Sequence, residues 1–174
     1  LINKKTKYSY RFLFIPETIG AISWLCKNEN DVHKIKYGVV ATCVGDSGQL
    51  TYKKTKQGNT LLDKIVEKIL VDSRDPYEIV DFFPTGSDER QFSSPGFNIP
   101  VGSLVRTLYG KFPEYHTSAD NMDFMNSKSL QDSFAKYHSI IYVLENNMIY
   151  KNQNPKCEPN LGKRKLYDLI GANK

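Results

Sequence analysis

Apolar runs and amphipathic segments alternate along the chain. Short apolar runs bounded by Gly, Pro or Asp are typical of buried strands, and apolar residues recurring at steps of three and four indicate helices. Four runs predict buried strands, an alternating segment predicts an edge strand or hairpin arm, and three segments have helical periodicity. The predicted strands cover residues 10–15, 37–44, 50–55 (the alternating segment), 77–82 and 98–108, and the predicted helices cover 18–27, 59 or 60 to 71, and 127–146.

The order of these elements predicts the fold class. Strands and helices follow the pattern β-α-β-β-α-β-β-α, which indicates an α/β sandwich with a mixed sheet. Thr18 is the predicted cap of the first helix. Lys53 and Lys54 in the alternating segment, together with Lys56 just after it, suit the exposed edge of a sheet. The last helix shows the longest stripe, formed by Leu130, Phe134, Tyr137, Ile141 and Leu144.

The composition is that of one soluble globular domain. Of 174 residues, 40% are hydrophobic and 25% are charged. No apolar run approaches the roughly 20 residues that span a bilayer, so we expect no membrane partner. The net charge of +5 comes from lysines spread along the chain, which favours a solvated surface over a nucleic-acid partner. Three cysteines without a CxxC pair fit free thiols in a cytoplasmic protein.

The two ends of the chain carry predictions of their own. The first residues include neither a signal peptide nor an initiator methionine, which indicates a fragment of a longer protein. After Asn147 the composition turns polar. Residues 151–174 are therefore predicted to form a tail or linker, with a short helix at about 161–170.

Four polar residues lie at or just after the ends of apolar strands: Glu17, Asp46, Asp88 and His116. One acid in such a place is ordinary turn chemistry. Four of them, one an imidazole, instead indicate a site, because ligands of open α/β sheets sit at the carboxyl ends of the strands. Carboxylates with an imidazole suit a divalent metal such as zinc. Both interpretations stay open on the residue pattern alone.

Several longer motifs resemble one protein family across nearly the whole chain. They match the bacterial aminopeptidase-like proteins associated with polysaccharide biosynthesis, a branch of the zinc aminopeptidase superfamily that also contains glutaminyl cyclases. The motifs appear in the family's order. They are FIPETIG at 14–20, CVGD at 43–46, GSDERQF at 86–92, SPGFNIPVG at 94–102, FPEYHTSADN at 112–121, NPKCEP at 154–159 and LGKR at 161–164.

This resemblance implies a three-layer α/β/α sandwich of the phosphorylase/hydrolase-like type, with a co-catalytic zinc site at the carboxyl edge of its mixed sheet. Such sites have five ligands and a Glu general base. Asp46 falls at the fourth ligand and His116 at the fifth. Asp88 falls at an acid that supports the substrate or reaction centre, and Glu89 replaces the His that usually follows that acid.

The resemblance leaves the role of Glu17 open between general base and metal ligand. Tyr115 and Arg106 are the candidate substrate-binding residues, and they are expected to contact the tetrahedral intermediate. The first two expected ligands, a His and an Asp, would precede Glu17, and the sixteen preceding residues contain neither. The sandwich is therefore expected to be incomplete at its N-terminus, with residues 1–150 as the C-terminal portion of a zinc aminopeptidase-like domain.

The function implied for the intact protein is zinc-dependent hydrolysis of an N-terminal peptide bond or a related amide, with one or two zinc ions. The substrate would be a peptide or amino-acid amide, and this chain alone is expected to be inactive. The alternative is a degenerate peptidase fold that binds a ligand without catalysis. Two further possibilities are a nucleic-acid-linked role, suggested by the basic charge, and a fragment that works only with a partner chain or missing N-terminal half.

Overall fold

Four short strands form one mixed sheet in the computed structural model, which describes residues 5–158 and 160–166. The strand order is β1-β4-β2-β3. β4 pairs in parallel with β1 and antiparallel with β2, and β2 pairs in parallel with β3. The strands are β1 (Gly38–Val40), β2 (Leu50–Lys53), β3 (Tyr77–Val80) and β4 (Val101–Val105).

Helices cover both faces of this sheet. One core cluster joins the sheet to α2 and α4 through Leu104, and a second joins it to α1 and α3 through Val101. Residues 101 and 104 are an odd number of positions apart in β4, so their side chains point to opposite faces. The three-layer α/β sandwich is thereby confirmed. The helices are α1 (Ile19–Lys27), α2 (Leu61–Ser73), α3 (Glu89–Phe92) and α4 (Ser127–Asn146).

α2 and α4 match the helices predicted from periodicity. Thr60 is the cap of α2, since its hydroxyl accepts a hydrogen bond from the Asp63 N–H while the Asp63 carboxylate accepts one from the Thr60 N–H. The Asp63 carboxylate, 3% exposed, also accepts hydrogen bonds from Tyr52 and Thr55. The same side chain thus caps α2 and ties it to β2.

The strand predicted at residues 10–15 is not present. This segment pairs with no strand of the described sheet, and Phe12 and Phe14 are 64% and 95% exposed. An apolar run indicates a strand only when a neighbouring strand supplies its hydrogen-bond partners. The segment therefore lies mostly exposed, without regular secondary structure.

β2 lies inside the sheet, so the prediction of an edge strand or hairpin arm was wrong. All four of its residues are buried between β4 and β3. Lys53 is 0% exposed and pairs with Glu89. A buried ion pair, rather than an exposed edge, explains this lysine. Lys54 does keep an exposed partner, Asp81.

The remaining strands are shorter than predicted. β1 ends at Val40, four residues before the predicted end, because the chain then turns, with Cys43 at a φ of 45°. β4 occupies only the centre of the predicted 98–108 strand. Near the C-terminus, the described part of the predicted 161–170 helix contains a single 3₁₀ turn, Gly162–Arg164; residues 167–170 of that prediction lie outside the described residues.

Candidate active site

A cavity of about 390 Å³ opens where the segments after β1 and β4 meet the start of α1. β1 and β4 are parallel, so both lead into this region from their carboxyl ends. Four residues predicted from the sequence contribute to its wall: Glu17, Asp46, Tyr115 and His116. The other lining residues are Thr42, Cys43, Val44, Gly45, Ser87, Tyr109, Phe112, Asp120, Phe124 and Met125.

Asp46 is held firmly in the wall of this cavity. The side chain is 4% exposed, and Oδ1 accepts hydrogen bonds from the Gly48 N–H at 2.8 Å and the Thr107 hydroxyl at 2.6 Å. The Thr107 N–H also points at Oδ2, at 3.3 Å. A Cβ on Gly48 would lie 2.1 Å from the Thr107 hydroxyl oxygen, so this contact requires glycine. These bonds fix the direction in which the carboxylate faces.

Glu17 lies on an exposed turn immediately before α1. Thr18, the residue preceding α1, has φ 62° and ψ −69°, a conformation that a non-glycine residue adopts at a cost of about 1–3 kcal/mol. Its side chain does not cap the helix as predicted. Instead its N–H donates to Asp88 Oδ1 at 2.6 Å, and its hydroxyl accepts from Arg90 at 3.1 Å.

His116 belongs to an aromatic wall of the cavity. Its ring stacks on Tyr115 with 3.9 Å between centroids and 17° between planes. Phe112 packs edge-on against Tyr115 and stacks on Phe124, each at 5.4 Å. His116 is exposed and has a φ of 58°. Burial, and secondarily the charge of Glu17, raise the pKa of the Tyr115 phenol.

Two of the predicted site residues lie elsewhere. Asp88 is not part of the cavity wall and reaches the site only through the Thr18 backbone. Arg106, 7% exposed, extends toward α4, where it pairs with Asp132 at 2.6 Å and donates to the Ser129 carbonyl. The geometry gives the Arg106 side chain no access to the cavity, because β4 directs it into the helical layer.

The carboxylates and the imidazole do not form a complete zinc site. Within residues 5–158 and 160–166, no three His, Cys, Asp or Glu side chains are placed to hold one metal ion. Zinc requires about four ligands with bonds of 2.0–2.3 Å. Asp46 and His116 share a cavity and remain predicted ligands, but the described residues alone do not fit the ion.

Three lining residues were missed by the sequence analysis or given another role. Cys43 fell inside the predicted strand at 37–44 and was given no role in a site; it is half-buried at the cavity, and burial raises the pKa of its thiol. Tyr109 and Asp120 were not named as candidates. Cys43 and Asp120 belong to the CVGD and FPEYHTSADN motifs, which offered a signal. Tyr109 lies outside every motif.

Comparison with known protein families shows which family the chain belongs to. Residues 1–147 match the family described as "Domain of unknown function (DUF4910)". The chain belongs to this family. This DUF4910 chain is also 61% identical over 168 residues to a Clostridium acetobutylicum protein named for polysaccharide biosynthesis and an aminopeptidase-like domain. The resemblance stated from the motifs is confirmed. The aligned region is 97% of this chain but only 38% of that relative.

Solved structures agree with this assignment. A crystal structure of a candidate peptidase from C. acetobutylicum matches the DUF4910 chain with a TM-score of 0.88 and 60% identity, covering 94% of this chain and 38% of that one. BSAP, a zinc aminopeptidase from Bacillus subtilis, matches at TM-score 0.59 and 15% identity, over 72% of this chain and 32% of its own. An aminopeptidase from Aneurinibacillus sp. strain AM-1 gives 0.60 and 17%, over 77% and 34%. The last two show a shared fold.

In the described part of the chain, no helix is both long enough and apolar enough to cross a membrane. α4, the only helix there of 18 residues or more, is too polar to cross a bilayer.

Proposed function

We propose that this chain is part of an aminopeptidase-like hydrolase that cleaves an N-terminal peptide bond or related amide in a zinc-dependent reaction. One observation carries the proposal: Glu17, Asp46 and His116, far apart in sequence, line the same cavity. The names of the C. acetobutylicum relatives support it. Because the chain spans 38% of those relatives, the activity is proposed for the whole protein.

Zinc enters this proposal only with ligands beyond those in the described residues. Asp46 and His116 are proposed as two members of the ligand set. The Thr107 and Gly48 hydrogen bonds would orient the Asp46 carboxylate, as the groups that surround metal ligands commonly do.

Glu17 is proposed as the general base. Glu17 lines the cavity and is exposed, so its carboxylate can take a proton from the attacking water and pass it to the leaving amine nitrogen as the C–N bond breaks. Tyr115 contacts the substrate as part of the aromatic wall. Asp88 acts through the Thr18 N–H, which holds the turn that carries Glu17.

The decisive experiment compares Glu17→Gln with wild type in the protein at its natural length. We expect hydrolysis of an aminoacyl amide to fall by about 100-fold or more, since a general base contributes that much. Zinc content, measured on the same samples, should not change. Glu29→Gln, an exposed acid just beyond α1, is the matched control and should retain full activity.

Other outcomes would change the proposal in defined ways. Loss of bound zinc in Glu17→Gln assigns this residue as a metal ligand instead of the base. Wild-type hydrolysis and zinc content in His116→Ala would exclude the proposed site. A wild-type protein that binds peptides equally well after metal removal, and hydrolyses none, would be a non-catalytic binding module.

A further inference from the structure

A buried ion pair lies directly behind the cavity, between the sheet and α3. Lys53 Nζ is 2.7 Å from Glu89 Oε1, and both side chains are 0% exposed. Glu89 Oε2 has no hydrogen-bond partner among the described residues. Removing two charges from water is unfavourable, and an apolar pair of similar volume often stabilises a protein as well. This pair therefore calls for an explanation other than stability.

On one side, Lys53 reaches the wall of the cavity. Its ammonium donates to the Thr85 carbonyl at 2.6 Å and to the Tyr109 hydroxyl at 3.1 Å. It also lies 3.7 Å from the centre of the Phe83 ring. Gly86, at φ 119°, passes so close to Tyr109 that a Cβ would lie 1.9 Å from the phenol oxygen. Tyr109 is thus fixed by the lysine and by the neighbouring backbone.

On the other side, Glu89 begins the short α3. The two residues next to Glu89 in sequence hold the turn that carries the proposed base, Glu17. Asp88 accepts the Thr18 N–H, and Arg90 donates to the Thr18 hydroxyl. Thr18 keeps its left-handed φ only while surrounding contacts enforce it. The two residues that enforce it flank Glu89 directly, so the anchoring of Glu89 to the sheet sets their position.

We propose that Lys53 and Glu89 are positioning residues, which anchor α3 to β2 so that Asp88 and Arg90 hold the Glu17–Thr18 turn at the cavity. Neither side chain touches the cavity itself. The catalytic consequence rests on the proposed function, whereas the structural effect on Thr18 does not. Lys53 links the same anchor to Tyr109, so the positions of Glu17 and Tyr109 at the cavity both depend on one buried pair.

The test replaces the pair by apolar side chains, in the double variant Lys53→Met with Glu89→Leu. The midpoint of urea unfolding should remain near the wild-type value. Exchange of the Thr18 amide hydrogen, followed by NMR, should become about tenfold faster relative to the amides of α2, because its hydrogen bond to Asp88 is loosened. Unchanged relative protection of Thr18 in the folded double variant would overturn the inference.

A second variant guards against failure of the double variant to fold. Glu89→Gln keeps an acceptor for Lys53 but removes the charge, and should loosen Thr18 by a smaller factor. Asp63→Asn is the control, since Asp63 is buried to a similar degree on the far side of β2. It should destabilise the protein without selectively exposing Thr18. Equal loss of Thr18 protection in Glu89→Gln and Asp63→Asn would reject the positioning role.

Kinetics of the natural-length protein separate this inference from the proposed function. If aminoacyl amides are hydrolysed, kcat should fall in the double variant with little change in KM. The reason is that the base is displaced, while the aromatic wall that includes Phe112 and Phe124 is retained. A protein without hydrolysis, in which Thr18 is nevertheless loosened, would retain the positioning role and reject the peptidase. A kcat unchanged alongside a loosened Thr18 would exclude any catalytic effect of the pair.

Discussion

Two adjacent residues of β2, Tyr52 and Lys53, point to opposite faces of the sheet and contact two very different buried carboxylates. On one face, Asp63 accepts hydrogen bonds from Tyr52, Thr55 and Thr60 through both its oxygens. On the other face, Glu89 pairs with Lys53 through one oxygen, while the other has no partner among the described residues.

The difference separates a group that stabilises the fold from one that arranges the site. The partners of Asp63 lie within eleven residues of it and join α2 to the strand before it. Glu89 joins segments 36 residues apart and adjoins the strained turn at Thr18. A fully satisfied carboxylate contributes stability, whereas a half-satisfied ion pair contributes little. The Lys53–Glu89 pair therefore contributes little stability and instead fixes the geometry of the site.

The largest expected effect comes from Lys53→Met alone. It leaves the Glu89 charge buried without its partner, and breaking such a pair costs about 3–5 kcal/mol. Urea unfolding followed by circular dichroism measures the loss. A cost under about 1 kcal/mol would mean that the Glu89 charge is readily rehydrated, and the contrast between the two faces would disappear.

Asp63→Asn should have the next largest effect, with a loss of about 2–3 kcal/mol of unfolding free energy, because several buried donors lose a charged acceptor. The same urea experiment applies. Asp72→Asn, an exposed acid near the end of α2 with only a surface partner in Lys68, is the control and should change stability by less than about 1 kcal/mol. Equal losses at the two positions would show that the Asp63 cluster is not a stabilising centre.

The smallest effect is a pH dependence that belongs to Asp63. Burial acts to raise the pKa of its carboxyl group, but the hydrogen bonds from Thr55 and Thr60 prevail and hold the pKa below its usual value. A lowered folded-state pKa gives stability that is present above the unfolded pKa of about 3.9 and lost as the pH falls through the folded value. The stability difference between wild type and Asp63→Asn should thus shrink below about pH 4. A difference that grows toward low pH would contradict this assignment.

Local patterns account for most of what the sequence predicted correctly about the fold. α2 and α4 were found because the apolar stripe and the cap lie within one segment. β2 was misplaced because alternation cannot reveal which strands will flank it; its neighbours β3 and β4 come later in the chain. The run at 10–15 failed for the same reason, since pairing depends on residues outside the segment.

The candidate site shows the same division. Asp46 and His116 could be named from strand ends and motifs, and both line the cavity. Arg106 was predicted to contact the tetrahedral intermediate, but the direction of its side chain depends on the register of β4 against β2 and on α4. No local sequence pattern indicated the Lys53–Glu89 pair, because its members meet only after the sheet and α3 have assembled. The role of Glu17 in catalysis and the roles of Asp46 and His116 in metal binding remain predictions.

The place of β4 in the sheet has a consequence for the order in which the chain can fold. Among the strands of the described residues, β4 comes last in sequence but lies between β1 and β2. Until residues 101–105 leave the ribosome, β1 has no neighbour in the described sheet, and β2 and β3 can form only an isolated pair. Non-local pairing of this kind slows folding. The described sheet, and with it the cavity, therefore cannot be completed before β4 has been synthesised.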